Sequence, residues 1–178
     1  YKRQVKEGAQ VVVFDIEDDT MEEVYDGNER VYCMHCDVRD YEQVQECVAK
    51  TIEVFDHVDV LMNNAGITHR QNFLECSQEG WLDVMDTNLN GIFYVGQAVA
   101  RTMVDKGIKG YIVNTSSNSA RKTIGGITPY GPSKAAVSML TQVMALELAQ
   151  YDIHVNAVAP GTSKTRITEG TRFDPERN

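Results

Sequence analysis

Tyr130 and Lys134 are the two residues of this sequence whose types and spacing most directly suggest chemistry. Residues four apart on a helix lie on one face, and Pro132 between them suits a first turn, where a missing N–H costs nothing. A tyrosine has a pKa of about 10, and a cation a few ångströms away favours phenolate and lowers that pKa. The pair could therefore exchange a proton during the interconversion of an alcohol and a carbonyl. The spacing alone is weak evidence, because an incidental lysine near a structural tyrosine gives the same pattern.

Other polar residues strengthen this interpretation. Ser117 ends the strand predicted at 109–117 and lies 13 residues before Tyr130, and its hydroxyl could hydrogen-bond a substrate oxygen whose charge changes. In the segment NNAG, Ala65 and Gly66 would let the backbone approach a ligand closely. Asn88 falls inside a long helical pattern, where asparagine is unfavourable, so it is either a helix flaw or a polar group lining a water path.

The apolar pattern defines the elements that must position these residues. It predicts strands at 9–16, 29–38, 57–66, 109–117 and 153–161, and helices at 41–55, 80–107 and 130–152. This alternation predicts an α/β fold with a doubly wound, Rossmann-like parallel sheet in three layers, forming a single domain over residues 1–178. The polar segment 162–178 is expected to be a mobile loop or lid over the substrate. Ligands of such sheets bind beyond the carboxyl ends of the strands, where the polar turns gather.

Composition and charge exclude several function classes. The formal net charge of −9 disfavours binding to nucleic acid or to an anionic membrane surface. We expect no membrane span and no signal peptide, because no apolar run has the necessary length or flanks. Without a visible disulfide framework, a reducing compartment such as the cytoplasm is the default expectation.

The four cysteines include a CxxC pair, Cys33 and Cys36, which could indicate a metal or redox site. The surrounding residues read as a strand, however, and residues three apart on a strand point to opposite faces. We therefore expect buried structural thiols and no metal site.

Taken together, NNAG, Asn88, Ser117, the Tyr130–Lys134 pair and the late Pro160-Gly161 turn resemble the short-chain dehydrogenase/reductase family over nearly the whole chain. The resemblance implies an NAD(P)-dependent oxidoreductase with Tyr130 as general acid and base. It implies that Lys134 lowers the pKa of Tyr130 and holds the nicotinamide ribose. It also implies that Ser117 orients the substrate oxygen and that Asn88 anchors a water in the proton relay. The implied cofactor contacts are Asp15, Asp37, Val38, Asn64, Ala65, Gly66, Tyr130, Lys134, Pro160, Gly161, Thr162 and Thr165.

Asp15 bears on the choice of cofactor. An acidic residue at the end of its strand can accept hydrogen bonds from the ribose 2′- and 3′-hydroxyls and would repel a 2′-phosphate. The next five residues, 16–20, contain no arginine or lysine. We therefore expect NAD rather than NADP. The alternative is that Asp15 only caps the following helix.

The family's glycine-rich phosphate turn and its first strand do not appear in this sequence. The working protein is therefore expected to be longer at both ends. In the family's strand order the first strand lies between the strand at 9–16 and the strand at 57–66. Its absence should leave two separate sheet fragments with unpaired edges between them.

The sequence says less about the substrate and the oligomeric state than about the fold and the site. Five basic residues could gather near the pocket and suit an anionic or polyhydroxylated small-molecule substrate: His69, Arg70, Arg121, Lys164 and Arg166. Each of them taken alone is more simply explained as a solvated surface charge. The motifs look more like the sugar, polyol and sugar-acid dehydrogenases of the family than like its 3-oxoacyl thioester reductases. A non-catalytic nucleotide-binding protein is the remaining alternative. The resemblance implies a homodimer or homotetramer in which the two long helices pair between subunits. The residues permit this pairing but do not require it, since these helices carry apolar and small residues beyond what one sheet face needs: Ala98, Val99, Ala135, Ala136, Val143 and Met144.

Overall fold

The computed structural model of this protein describes residues 2–161. Its strands are β1 (Val11–Asp15), β2 (Val31–His35), β3 (Val60–Asn63), β4 (Tyr111–Thr115) and β5 (His154–Val158). Its α-helices are α1 (Lys2–Lys6), α2 (Asp18–Tyr25), α3 (Tyr41–Phe55), α4 (Gln78–Met85), α5 (Gly91–Lys106) and α6 (Tyr130–Leu148). A π-helical turn, Asp86–Asn90, joins α4 to α5, and short 3₁₀ turns cover Phe73–Glu75, Asn118–Ala120 and Ala149–Tyr151.

All described strand pairs are parallel, and they form two sheets. In one sheet β1 pairs with β2, and Asp15 lies opposite His35 at the carboxyl end. In the other, β4 lies between β3 and β5. The division into two fragments is the arrangement expected from the sequence, with the break between β1 and β3.

Helices cover both faces of the β1–β2 sheet, as the doubly wound prediction requires. Val31, Cys33 and His35 face α2, whereas Tyr32 makes an edge-to-face contact with Phe55 of α3. The β3–β5 sheet packs one face against α5 and α6, and Ile112 is fully buried there. Within residues 2–161 no helix has the length and apolar character needed to cross a membrane.

The long helix predicted over 80–107 differs from the observed structure in two ways. It begins earlier, at Gln78, because the Ser77 hydroxyl accepts a hydrogen bond from the Gly80 N–H and caps the first turn. It is also interrupted by the π-helical turn Asp86–Asn90, which contains the asparagines that looked out of place in the sequence. π-Helical turns are rare and often mark functional sites.

The CxxC cysteines lie in different surroundings. Cys33 lines the open cleft between α2 and β2, whereas Cys36 is buried in the core beside Cys47 of α3. Burial raises the pKa of the Cys36 thiol to about 12. Cys36 therefore has the character of a packed apolar side chain.

The expectation that Ala98 and Val99 contribute to a subunit interface is wrong. Ala98 and Val99 are buried in this chain's own core and are not available to a second subunit. The reason is that α5 packs against α3 as well as against the sheet, so it buries a wider stripe than one sheet face needs. Val143 of α6 is exposed, and Met144 is only partly buried against the core.

Candidate active site

The structure brings Tyr130 and Lys134 together at the start of α6. Tyr130 is the first residue of the helix, and Lys134 Nζ lies 5.8 Å from the centroid of the Tyr130 ring. Helical spacing alone predicted that both side chains would lie on one side of the helix, and they do.

Lys134 is almost completely buried, with 2% of its surface exposed. Its Nζ donates a hydrogen bond of 2.8 Å to the backbone oxygen of Thr115, the last residue of β4. Because burial penalises the charged ammonium, the pKa of Lys134 is lowered to about 8. The amine is therefore held at the carboxyl edge of the sheet, next to the phenol.

Asn88 is fully buried in the π-helical turn. Its Oδ1 accepts a hydrogen bond from the Ile67 N–H at 2.8 Å, and its Nδ2 donates to the Ile67 oxygen at 3.0 Å. Nδ2 also donates to the Ser133 hydroxyl at 3.1 Å. The side-chain amide thus joins the loop after β3 to α6, and both of its N–H hydrogens have protein acceptors.

Ser117 lies two residues after the end of β4, and it is 7% exposed. Its hydroxyl oxygen accepts a hydrogen bond of 3.1 Å from the Ser119 N–H and caps the 3₁₀ turn Asn118–Ala120. The Asn118 N–H in turn donates to the Pro160 oxygen at 3.0 Å. The serine and the Pro160-Gly161 turn therefore lie next to each other at the end of the sheet.

The NNAG turn lies beside the same residues. Thr115 Oγ1 donates to Asn64 Oδ1 at 3.3 Å, which ties the end of β4 to this turn. A Cβ on Gly66 would lie 3.2 Å from Asn88 Oδ1 and 3.3 Å from Lys134 Nζ. Glycine at this position lets the backbone approach both polar groups. Asn64 and Ala65 are exposed.

At the end of β1, Asp15 is exposed, and its Oδ1 accepts hydrogen bonds from the Ile16 and Glu17 N–H groups at 2.8 and 3.1 Å. Helix α2 begins at Asp18 and its cap position is Glu17, so Asp15 is not the helix cap. The carboxylate is instead oriented by the turn between β1 and α2.

At the end of β2, Arg39 holds Asp37 with three contacts, from Nε at 2.9 and 3.0 Å and from Nη2 at 2.6 Å. These hydrogen bonds hold the pKa of the Asp37 carboxyl below its usual value. Val38 packs against Gly91, where a Cβ would lie 2.6 Å from Val38 Cγ2. The loop after β2 is thus fixed against the start of α5.

Asp83 of α4 links two loops that the sequence analysis treated separately. Its Oδ1 pairs with Arg39 Nη1 and its Oδ2 with His69 Nε2, each at 2.7 Å. The loop after β2 and the loop after β3 are thereby joined through one carboxylate.

The remaining sequence-predicted residues fall into two groups. Arg70 and Arg121 are exposed within the described part of the chain. Thr162, Lys164, Thr165, Arg166 and the expected lid 162–178 lie outside the described residues.

Sequence reasoning missed four groups of the site: Ser133, Arg39, Asp83 and the Thr115 backbone oxygen. Only Ser133 had a signal, its position between Tyr130 and Lys134.

The structure has an open cleft between α2 and β2 and another beside α4, and Arg39, His69 and Asp83 line the second one. Tyr130, Lys134 and Ser117 are not part of either lining. We therefore locate the candidate site by the side chains gathered at the carboxyl edge of the strands, which is where ligands of such sheets bind.

Comparisons with known proteins find similar sequences and structures over nearly the whole chain. A family model described as short chain dehydrogenase matches residues 1–176. The chain is 33% identical to 2-dehydro-3-deoxy-D-gluconate 5-dehydrogenase of Escherichia coli K12 over 160 residues, which cover 90% of this chain. It spans 63% of the length of that relative.

Two solved structures have the same architecture. Gluconate 5-dehydrogenase from Burkholderia cenocepacia, in complex with NADP and tartrate, matches with a TM-score of 0.87 and 31% identity, covering 96% of this chain and 68% of that one. An NAD⁺-bound xylitol dehydrogenase matches with a TM-score of 0.84 and 32% identity, covering 89% of this chain and 63% of that one.

Proposed function

The chain belongs to the short-chain dehydrogenase family, and on that basis we propose that it transfers a hydride between a nicotinamide dinucleotide and a secondary alcohol or ketone. The observation that carries the proposal is the position of Lys134 Nζ, 5.8 Å from the Tyr130 ring and bound to the carboxyl edge of the sheet through Thr115. A phenol beside a buried amine is suited to proton exchange with a substrate oxygen.

The polar side chains have distinct roles in this mechanism. Tyr130 gives its phenolic proton to the substrate oxygen in reduction and takes it back in oxidation. Lys134 remains mostly protonated at neutral pH, since its pKa is about 8, and it supplies a positive charge beside the phenol. The Ser117 hydroxyl oxygen already accepts from Ser119, and its hydrogen faces only a 3.5 Å contact with Asn118 Oδ1, so it can turn to a substrate oxygen.

Asn88 is proposed to hold a water molecule of the proton relay. Its side-chain N–H groups already donate to Ile67 and Ser133. A water held at Asn88 must therefore use an acceptor atom of that residue. The proposed relay through this water and Lys134 needs only such an acceptor.

The residues at the carboxyl edge fit an extended dinucleotide. Exposed polar or small residues lie at the carboxyl ends of three strands: Asp15 at the end of β1, Asn64 and Ala65 after β3, and Pro160 and Gly161 after β5. Asp37 and Val38 after β2 suit the adenine. Asn64, Ala65 and Gly66 suit the adenosine side, and Tyr130 and Lys134 suit the nicotinamide ribose. When bound, the nicotinamide supplies or accepts the hydride.

We propose NAD rather than NADP as the physiological cofactor. The Ile16 and Glu17 N–H groups orient the exposed Asp15 carboxylate, which can accept from two ribose hydroxyls and repels a 2′-phosphate. Replacing Asp15→Ser should lower the preference for NAD over NADP by about tenfold or more, as expected for the loss of one charge-assisted interaction. An unchanged ratio of kcat/KM values would reject this role.

We propose a sugar, a polyol or a sugar acid as substrate. Support comes from similarity to 2-dehydro-3-deoxy-D-gluconate 5-dehydrogenase and to gluconate 5-dehydrogenase. His69 is engaged by Asp83, whereas Arg121 is exposed and is the better candidate for an anionic group. A substrate panel followed by NADH absorbance tests this, and activity confined to 3-oxoacyl thioesters would replace it with the alternative reductase activity.

We further propose a cytoplasmic homodimer or homotetramer. Met139, Val143 and Leu146 are exposed at helical spacing on α6 and form an apolar stripe that a second subunit could cover. The four cysteines are free thiols, which suits a reducing compartment. Sedimentation analysis tests the assembly, with a monomer at micromolar concentration as the contrary result.

Tyr130→Phe in the full protein is the central test. We expect turnover to fall by about 10²-fold or more, the usual contribution of general acid–base catalysis, while NAD still binds. Tyr111→Phe is the control, since Tyr111 is an exposed tyrosine at the opposite end of β4. If wild type binds NAD but turns over no substrate, the non-catalytic nucleotide-binding alternative is the better account.

A further inference from the structure

Ser133 is a buried hydroxyl in the middle of the candidate site that none of the roles above employs. It lies between Tyr130 and Lys134 on α6 and is 0% exposed. Its Oγ donates a hydrogen bond of 2.8 Å to the Tyr130 backbone oxygen, and it accepts one of 3.1 Å from Asn88 Nδ2. A helical serine often bonds a preceding carbonyl, but acceptance from a second buried element is an additional, specific contact.

The directions of these hydrogen bonds are fixed by the donors involved. The Ile67 N–H can only donate, so the Asn88 atom facing it is the oxygen and the other is the NH₂ group. The Asn88 NH₂ group therefore donates to Ser133, whose single proton then goes to the Tyr130 carbonyl. Ile67, Asn88, Ser133 and Tyr130 form one directed chain from the loop after β3 to the first turn of α6.

This chain adds a side-chain connection to a helix start that backbone hydrogen bonds also hold, from the Gly131 N–H to the Ile127 oxygen and from the Ser133 N–H to the Pro129 oxygen. Tyr130 is the first residue of α6, and the cap residue Pro129 makes no side-chain cap hydrogen bond among the described residues. First turns fray unless their groups are tied by side chains or tertiary contacts. The Ser133 hydroxyl supplies such a tie on the side that faces Asn88.

We propose that Ser133 is a positioning residue of the reaction, which sets the location of the Tyr130 phenol relative to Asn88 and Lys134. The inference rests on the proposed function, since positioning matters only if Tyr130 exchanges a proton with substrate. Ser133 itself does not touch the reacting atoms. It acts by joining the π-helical turn to the backbone of the residue that carries the phenol.

The test is Ser133→Ala in the full protein. We expect kcat to fall by about 10- to 100-fold, since small misplacement of a reacting group has effects of this size. KM for NAD should stay within about twofold, because the dinucleotide contacts proposed for other strands are untouched. The pH at which the rate is half-maximal should also move, which loss of stability alone would not cause.

Thr51→Val is the matched control. Thr51 is a buried hydroxyl of α3 that donates to the Cys47 carbonyl at 2.9 Å, so it represents the same chemistry in a helix remote from the site. It should reduce stability to a similar extent with unchanged kcat and pH profile. If Ser133→Ala behaves like Thr51→Val, the proposal is wrong.

Two further measurements keep the outcomes distinct. Ser133→Cys, which is nearly isosteric but a poor hydrogen-bonding group, should fold and still lose kcat, and wild-type kcat in this variant overturns the proposal. Hydrogen exchange in residues 130–134 should be faster in Ser133→Ala than in wild type without any substrate, and equal exchange overturns it too. Absence of turnover in wild type would contradict the proposed function, while the exchange measurement still decides whether Ser133 holds this turn.

Discussion

Lys134 Nζ donates its 2.8 Å hydrogen bond to the carbonyl oxygen of Thr115, so the amine of α6 is anchored on the last residue of the central strand. One carbonyl replaces only part of the hydration of an ammonium that has three N–H donors. The uncompensated burial is what lowers the pKa of Lys134 from 10.5 to about 8. The charged form of Lys134, the residue proposed to support catalysis, therefore destabilises the folded protein.

We expect Lys134→Met to make the unliganded protein more stable than wild type at neutral pH. Below pH 8 the buried ammonium is present in the folded protein, and its cost is fully felt. Between about pH 8 and 10.5 the folded protein loses this proton before the unfolded chain does, so wild type gains relative stability as the pH rises. The advantage of the variant should be at most about 3 kcal/mol at low pH and should shrink across this window. Urea unfolding over a pH series measures it.

Lys50→Met is the control for this series. Lys50 is paired with Glu53 on the surface, and that partner raises the pKa of Lys50 instead of lowering it. A constant difference between wild type and Lys134→Met from pH 7 to pH 10.5, against this control, would contradict the burial argument.

A buried polar ladder joins the strands to the helices behind the site. Asn63 Nδ2 donates to Asn114 Oδ1 at 2.9 Å, and Asn114 Nδ2 donates to Thr141 Oγ1 at 3.0 Å. We expect Asn63→Leu to destabilise the protein by about 1–3 kcal/mol, because it leaves Asn114 Oδ1 without its donor. Adding Asn114→Leu should cost less than its effect alone, since the orphaned group is then removed. Strict additivity in urea unfolding would show that the two asparagines do not act as a pair.

How far the sequence predicts this molecule depends on whether a feature is local. The stripe of Val44, Cys47 and Val48 predicted α3 with both of its ends correct, because an amphipathic helix carries its own periodic signal. The Tyr130–Lys134 juxtaposition was predicted for the same reason. The two separate sheets are the exception, because they were predicted from the strand order of the family that the sequence resembles and not from a local signal.

The features that escaped prediction depend on tertiary contacts. The π-helical turn exists where Asn88 bonds the backbone of Ile67, a residue of a different loop. Arg39 and Asp83 meet across 44 residues of sequence. Ser133 was overlooked because a serine in a helix gives no sign of whether it is buried, and here an asparagine from another element decides its role.

Asp83 offers a prediction about coupling between loops. We expect Asp83→Asn to weaken nucleotide binding by about two- to tenfold, because Arg39 loses a partner that holds the loop carrying Asp37. Both ion pairs are partly exposed, so the stability change should remain below about 1 kcal/mol. Fluorescence titration with NADH measures the affinity. Glu79→Gln, an exposed carboxylate on the same helix, should leave it unchanged, and an equal effect of both variants would mean that only net charge matters.

Gly66→Ala tests the geometry of the site with a single methyl group. The added Cβ would lie 3.2 Å from Asn88 Oδ1 and 3.3 Å from Lys134 Nζ, closer than most such contacts, so one of these polar groups must shift. Asn88 is held by three hydrogen bonds, whereas Lys134 Nζ ends a flexible side chain with one hydrogen bond, so we expect Lys134 to be the group that shifts. We expect kcat to fall by about 10- to 100-fold with little change in unfolding free energy, since the Lys134 amine that supports the Tyr130 phenol is displaced by a few tenths of an ångström.

Gly125→Ala is the matched control, because a Cβ there meets nothing within 4 Å and its backbone is not left-handed. Equal activity of both variants would mean that the position of Lys134 is not critical to turnover.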